Sequence, residues 1–294
     1  TFDAVGNLLS LSSGAVNWTY QYNSANLLTK ETLQLDQKSF DFTRQYNDLG
    51  YTTSLRYPNG IVVEPRLNAL GEITSLSADG QTLASQVKYH PDGQLAELRY
   101  GNGLSFTQSL DSNKRPFERY VWQNWAAQLG QKYHYDAVNN IQSISDLLNA
   151  TKTLTLSYDS LDRLKSASAG HLGQVNYSYD TLGNITQKQI FSTVNSYSYD
   201  TSTNRLLSAM NRNFHYDSRG NVLSNGLRSF QYNRANQLTN SGDVQYTYDG
   251  HGRRVKQVKA GQTHYSVYDA AGSLLYREYA SGQATNTVYL GKQL

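Results

Sequence analysis

The chain contains no cysteine, one methionine and four prolines in 294 residues. Lack of cysteine excludes a disulfide framework and thiolate metal sites, without identifying a compartment. No apolar stretch reaches the roughly 18 residues of a membrane-spanning helix. Charged residues make up only 17% and hydrophobic ones 38%. Few charges together with many aromatics exclude a disordered composition, and they favour tyrosine-packed sheet over a thick aliphatic core. No window carries a convincing 3.6-residue apolar period. Residues 147–156 come nearest, and they are too few and too β-branched for a helix.

Tyrosine is abundant, 24 of 294 residues, and it recurs in a pattern. Fourteen times an aromatic or leucine precedes an acidic or amide residue, with a glycine-like residue four positions after the aromatic. Clear copies are Tyr179-Asp180-Thr181-Leu182-Gly183-Asn184-Ile185 and Tyr216-Asp217-Ser218-Arg219-Gly220-Asn221-Val222. Copies start 16 to 25 residues apart, the spacing of an array built from one repeated unit. The second position is Asp or Asn in thirteen copies, with His90 the exception. The fifth is Gly in eight and Asn in three (Asn26, Asn139, Asn236); Asp162 also suits it, Lys114 suits it poorly, and the Tyr199 copy carries one extra residue before Asn204. Asp or Asn opens a type I turn because its side chain accepts from backbone N–H groups two residues on. Glycine or asparagine then takes the left-handed position that joins the turn to a strand as a bulge.

The flanks read as strands. Tyr177/Tyr179, Phe214/Tyr216 and Tyr246/Tyr248 are spaced by two, so both rings of each pair share one face of a strand. Further turn signals, Asn59-Gly60, Asp79-Gly80 and Asn225-Gly226 among them, lie between the motifs. The expectation is an all-β chain: one continuous array of about fourteen antiparallel β-hairpins over 1–294. Asp180, Asp217 and Asp249 cap turns, Gly183, Gly220 and Gly252 take the left-handed position, and the tyrosines stack from hairpin to hairpin. The sequence begins within a repeat and reads as a piece of a longer chain.

Tyr158-Asp159-Ser160-Leu161-Asp162-Arg163-Leu164 and Tyr248-Asp249-Gly250-His251-Gly252-Arg253-Arg254 carry a resemblance to a known family. The consensus, near 20 residues apart along essentially the whole chain, resembles the YD repeat of bacterial Rhs proteins, Tc toxin C components, wall-associated proteins and teneurins. That resemblance implies a ribbon of hairpins that spirals into a hollow β-shell around a C-terminal toxin. It implies a non-enzymatic structural role, export from a bacterium, and partners in the rest of the parent chain, its enclosed toxin domain and the secretion or toxin-complex machinery. The alternative is a surface adhesion or carbohydrate-binding module on the same repeat. Rhs cores also carry an Asp-Pro segment whose aspartates release the toxin; this chain has no Asp-Pro dipeptide, so no catalytic residue is carried over.

Other candidate sites weigh little against the repeat. Histidines 90, 134, 171, 215, 251 and 264 lack metal-ligand spacing and read as solvent-facing strand positions. No metal, cofactor or nucleophile motif is expected; the Gly-x-Gly at 101–103 is a hairpin turn with no helix behind it. Residues 151–294 carry 15 Lys/Arg against 9 Asp/Glu, which reads as charge-guarded strand edges in preference to a nucleic-acid surface. Trp122 and Trp125, in the longest gap between motifs, are the one candidate ligand site, for glycans. Packing beneath a long hairpin is the preferred reading of the pair.

Overall fold

A computed structural model describes residues 1–170 and 172–291. The described residues form twenty-nine β-strands and one 3-10 turn, Ala150–Lys152. That turn falls in the stretch nearest a helical period. Asn149 caps it, accepting from the Thr151 amide at 3.0 Å, and it goes no further. Strands pair antiparallel with their neighbours in sequence, in sheets of 20, 2 and 7 strands. Register shifts fall just before the motif aromatic: Gln21/Tyr22, Gln45/Tyr46, Ser157/Tyr158, Ser178/Tyr179 and Thr247/Tyr248. Each is the bulge that a type I turn with a left-handed fourth residue requires.

The chain divides into two compact units. One comprises Thr1–Ala84 with Arg228–Leu294, the other Ser85–Leu227. In the second unit the buried apolar residues are few and small to medium: Val87, Leu95, Leu98, Ala169 and Ala209. Its side-chain hydrogen bonds run from one hairpin to the next, as in Arg115 to Asn139 and Asn184 to Asn204.

The first unit departs from the expectation of a sheet without a thick core. Alternation along Val16–Tyr22 buries Val16, Trp18 and Tyr20, and along Lys38–Tyr46 it buries Phe40 and Phe42. Gln262–Tyr268 and Leu274–Glu278 answer with Tyr265, Val267, Leu275 and Tyr276. Phe40 meets Tyr265 at 5.4 Å and Tyr276 at 5.9 Å between ring centroids, so two stretches more than 200 residues apart pack face to face. Polar groups fasten the faces: Tyr265 donates to Asp36 at 2.9 Å, Tyr57 donates to the Thr287 carbonyl at 2.8 Å, and Lys256 pairs with Asp36. A period-2 pattern fixes which face is apolar but not which distant strand covers it.

This interlayer core should dominate the unit's stability. Phe42, at 0% exposure, replaced by alanine is expected to cost about 3–5 kcal/mol in a urea titration, the usual range for a large aromatic removed from a close-packed site.

Candidate functional site

The recurring chemical feature is the motif turn. In Asp180–Gly183 the Oδ1 atom of Asp180 accepts from the Leu182 amide at 2.9 Å and the Asn184 amide at 2.8 Å. The Gly183 amide donates to the Asp180 carbonyl at 3.2 Å, and the Asp180 amide donates to the Asn184 carbonyl at 3.0 Å. Gly183 sits at φ +88°. Asp217 caps Arg219 and Asn221 in the same way, with Gly220 at φ +91°; Asp249 caps His251 and Arg253, with Gly252 at φ +78°. Asn26, Asn139, Asn236 and Asp162 occupy the left-handed position at φ 59–75°, and Lys114 joins them at φ 62° although its side chain gives no help there. The longer Tyr199 copy closes through Asn204 at φ 56°, whose amide donates to Asp200.

Two further positions tie the turns into a ladder. The motif tyrosine donates its hydroxyl to a carbonyl just beyond the preceding turn: Tyr46 to Leu28, Tyr135 to Pro116, Tyr158 to Ile141, Tyr179 to Leu164, Tyr199 to Ile185 and Tyr216 to Leu206, at 2.7–3.0 Å. This corrects the expectation that these rings stack on one another. Repeats are joined by hydroxyl-to-carbonyl bonds, and several rings take a guanidinium instead. The residue after the left-handed position supplies it. Arg163 binds the Oδ2 atom of Asp159 at 2.7 Å, donates to the Asp180 carbonyl at 3.1 Å, and lies 4.6 Å from the Tyr179 ring centroid. Arg115 does the same toward Asp111, Asn139 and Tyr135. Where this residue is asparagine, as at Asn140 and Asn184, the amide spans from its own aspartate to the next turn. This position is Asn or Arg in eight of the fourteen copies, and the reason is visible only when successive turns lie side by side.

These bonds hold the carboxyls of Asp111, Asp180, Asp200 and Asp217 below their ordinary range. For Asp180 and Asp217 the leading cause is the amide of Asn184 or Asn221, and for Asp111 it is the Arg115 guanidinium. The hydroxyls of Ser202 and Thr203 bring Asp200 down to about 2.

Outside the ladder, the strongest polar cluster lies within the first unit. Glu31, at 0% exposure, pairs with Arg44 at 2.6 Å; burial pushes its carboxyl up and Arg44 pulls it back. The Trp18 indole donates to Asp249 at 3.0 Å beneath the Arg253 guanidinium, and Tyr20 bonds the His251 ring at 2.9 Å. Three of the five described histidines are therefore engaged in the fold, His90 through the Gln108 carbonyl, His251 through Tyr20 and His264 edge-on against the Tyr279 ring, which corrects their reading as simple solvent-facing positions. His171 lies outside the described residues. Among the described residues no three His, Asp or Glu side chains are grouped to hold a metal ion.

The two tryptophans part company. Trp122 stacks on Tyr120 at 4.9 Å and donates to Thr107 at 3.4 Å. Trp125 is 98% exposed at the tip of the hairpin between Pro116–Gln123 and Ala126–Tyr135, so the packing reading fails for it. Asn124 and Trp125 form a two-residue turn at φ 47° and 68°, which turns the indole out to solvent.

With this geometry in view, residues 129–213 match the teneurin YD-shell family. No curated protein matches the chain in sequence. Among solved structures, a chain of the TcdB2-TccC3-Cdc42 crystal structure is similar at TM-score 0.70 and 15% identity, covering 98% of this chain and 18% of that one. TcdB2-TccC3 without its hypervariable C-terminal region gives 0.68 and 15%, covering 97% and 20%. A Tc holotoxin pore from Photorhabdus luminescens gives 0.65 and 14%, covering 97% and 20%. The chain thus spans about a fifth of the length of these solved chains. Its fold is the one these Tc toxin chains share.

Two outcomes follow from the turn. A Cβ on Gly183 would meet nothing within 4 Å, so Gly183→Ala isolates backbone strain and should cost about 1–2 kcal/mol by chemical denaturation. The second concerns acid. Asp111, Asp180, Asp200 and Asp217 bind protons less readily than in the unfolded chain, so their contribution to stability is full above the unfolded carboxyl pKa near 4 and is lost as pH falls through the lower folded values. Asp180→Asn keeps the amide cap that Asn47 and Asn68 already supply, and melting temperatures measured from about pH 5 to pH 2 should fall less steeply for it than for the parent.

Proposed function

We propose that the chain is a non-enzymatic segment of a hollow YD-type shell, exported by a bacterium, that encloses a toxic effector carried beyond the repeats of its parent chain. The observation that carries this reading is where the polar chemistry is spent. Motif carboxylates, amides, guanidiniums and hydroxyls bond to a turn or to the next repeat, leaving the repeat a wall material. The fold likeness to TcdB2-TccC3, in a structure described as lacking a hypervariable C-terminal region, supports a variable cargo following the repeats. The partners are then the remainder of the parent chain, the enclosed domain and the machinery that delivers them.

A second reading, surface adhesion through glycans, draws on Trp125, whose 98% exposure leaves an indole face free for a sugar ring. The two are separated in the intact parent protein. The shell reading expects a toxin-like domain downstream of residue 294, protected there from a protease that digests the same domain expressed alone. A parent chain ending in a membrane or wall anchor, or a downstream domain digested equally in both settings, overturns it in favour of adhesion.

A further inference from the structure

Lys and Arg at a sheet edge discourage wrong pairing, yet part of the basic excess of residues 151–294 lies where there is no edge. Arg254–Lys259, Gln262–Tyr268 and Leu274–Glu278 are consecutive inner strands of the seven-stranded sheet, each bonded to a neighbour on both sides. Arg254, His264 and Arg277 stand on these three strands, so edge guarding leaves them unexplained.

The register gathers them on one face. Gln257 pairs with Tyr246 on one side and His264 on the other, and Ser266 pairs with Arg277. Tyr265 and Val267, which alternate with His264 and Ser266, are buried, Tyr265 against Phe40, so this face is turned away from the core. Arg254, Gln257, His264, Ser266, Arg277 and Tyr279 line a cavity of about 160 Å³ there. Lys256 and Glu278 also border it, but their charges are answered elsewhere, by Asp36 and Lys38. Arg254 lies 5.0 Å from the centroid of the Tyr246 ring, a contact that holds a guanidinium without neutralising it. Among the described residues neither Arg254 nor Arg277 pairs with a carboxylate. Three cations against one carboxylate leave the lining at +2, and Gln257, His264, Ser266 and Tyr279 can all donate hydrogen bonds.

We infer that this cavity is a binding site for a small phosphate monoester. Charge selects the ligand. A phosphate monoester carries close to two negative charges near pH 7, whereas a carboxylate or a sulfate ester carries one and leaves a guanidinium unanswered. Arginine forks bond phosphate oxygens in pairs, and two forks on neighbouring strands suit a group with three free oxygens. Size extends the argument. At about 10–15 Å³ for each enclosed water, the cavity has room for about ten waters, more than a lone phosphate fills, so space remains for the group it esterifies. Tyr279, 37% exposed and edge-on to the His264 ring at 5.6 Å, offers that group an apolar wall. The site stands apart from whether an effector is enclosed, so the protease experiment and the following one fail independently.

Isothermal titration calorimetry of the 294-residue chain at about pH 7.5, where a phosphate monoester is largely doubly charged, tests it. Phenyl phosphate should bind with a Kd below about 1 mM, and phenyl sulfate, alike in shape with one charge, at least about tenfold more weakly. Arg277→Gln and Arg254→Gln should each weaken phenyl phosphate at least about tenfold. Both side chains are exposed, so melting temperatures should hold; Arg277→Gln carries the test alone if losing the Tyr246 contact unsettles the other variant. Lys259→Gln, on the strand of Arg254 but outside the cavity, should change nothing. Flotation reads the source of the ester. Capture by phosphatidic acid vesicles but not phosphatidylserine vesicles, abolished by Arg277→Gln, makes it a lipid headgroup; phenyl phosphate binding without flotation makes it a soluble ester. No heat from phenyl phosphate up to about 10 mM, or equal affinity in the parent and Arg277→Gln, overturns the site. Phenyl sulfate bound as tightly as phenyl phosphate overturns the choice of ligand.

Discussion

Every repeat but the His90 copy depends on one carboxylate or amide oxygen at the start of its motif turn. A chain that reverses direction every ten residues or so leaves backbone amides at each reversal, and an unpaired polar group is expensive wherever water is excluded. The Asp180 Oδ1 atom takes two of them at once, and the left-handed Gly183 sets the bulge that brings the next strand into register. With the turn fixed, the aspartate's second oxygen is free to hold Asn184, and Asn184 reaches the following turn at Asn204. Register, hairpin and array thus descend from the same acceptor. A one-residue slip would exchange the two faces of every strand, so the bulge before each motif aromatic also keeps the tyrosines on one side.

The ladder accounts for a ribbon but not for a core. Within Ser85–Leu227 most large side chains are half-buried, and the repeat-to-repeat bonds supply order through many modest contributions, each of about 0.5–1.5 kcal/mol. In the first unit the motif is the same and the intervening strands differ in burial: Trp18, Leu33, Phe40 and Phe42 are buried, whereas Phe106, Phe117 and Trp122 of the second unit are half-buried. Those strands find a second layer. Two buried charges, Glu31 and Arg44, are enclosed with them, an arrangement that adds little net stability and leaves few ways to align the layers without stranding a charge.

How far the fold was legible follows from which interactions are local. Asp180, Gly183, Asp217, Gly220, Asp249 and Gly252 announce a turn because cap, bond and left-handed residue lie within five positions. The strand class was legible for the same reason, since aromatic spacing of two is a local pattern. The tyrosine hydroxyl bonds were not legible, because their acceptors are carbonyls, which any residue provides, and the separation varies from 10 residues at Tyr216 to 19 at Tyr135. Packing of Phe40 on Tyr265 was invisible because composition within a strand names a buried face and never its partner. Trp125 was misjudged because a tryptophan suggests burial, whereas its backbone conformation places it at a hairpin tip.

The motif tolerates Lys114 in the left-handed position and an extra residue before Asn204, which shows how much of the fold resides in the array as a whole. A unit stacked between two neighbours inherits its turn from their register, so a single poor residue costs strain without loss of the hairpin. That tolerance leaves positions outside the motif free to serve individual contacts. Trp18 and His251 use this freedom to join distant repeats of the first unit. Three intervening turns of the second unit use it to carry a bulky apolar side chain, Trp125, Phe191 or Met210, in a left-handed backbone conformation. A repeat that secures its geometry with few positions can vary the rest, and it is at those variable positions that one length of ribbon comes to differ from another.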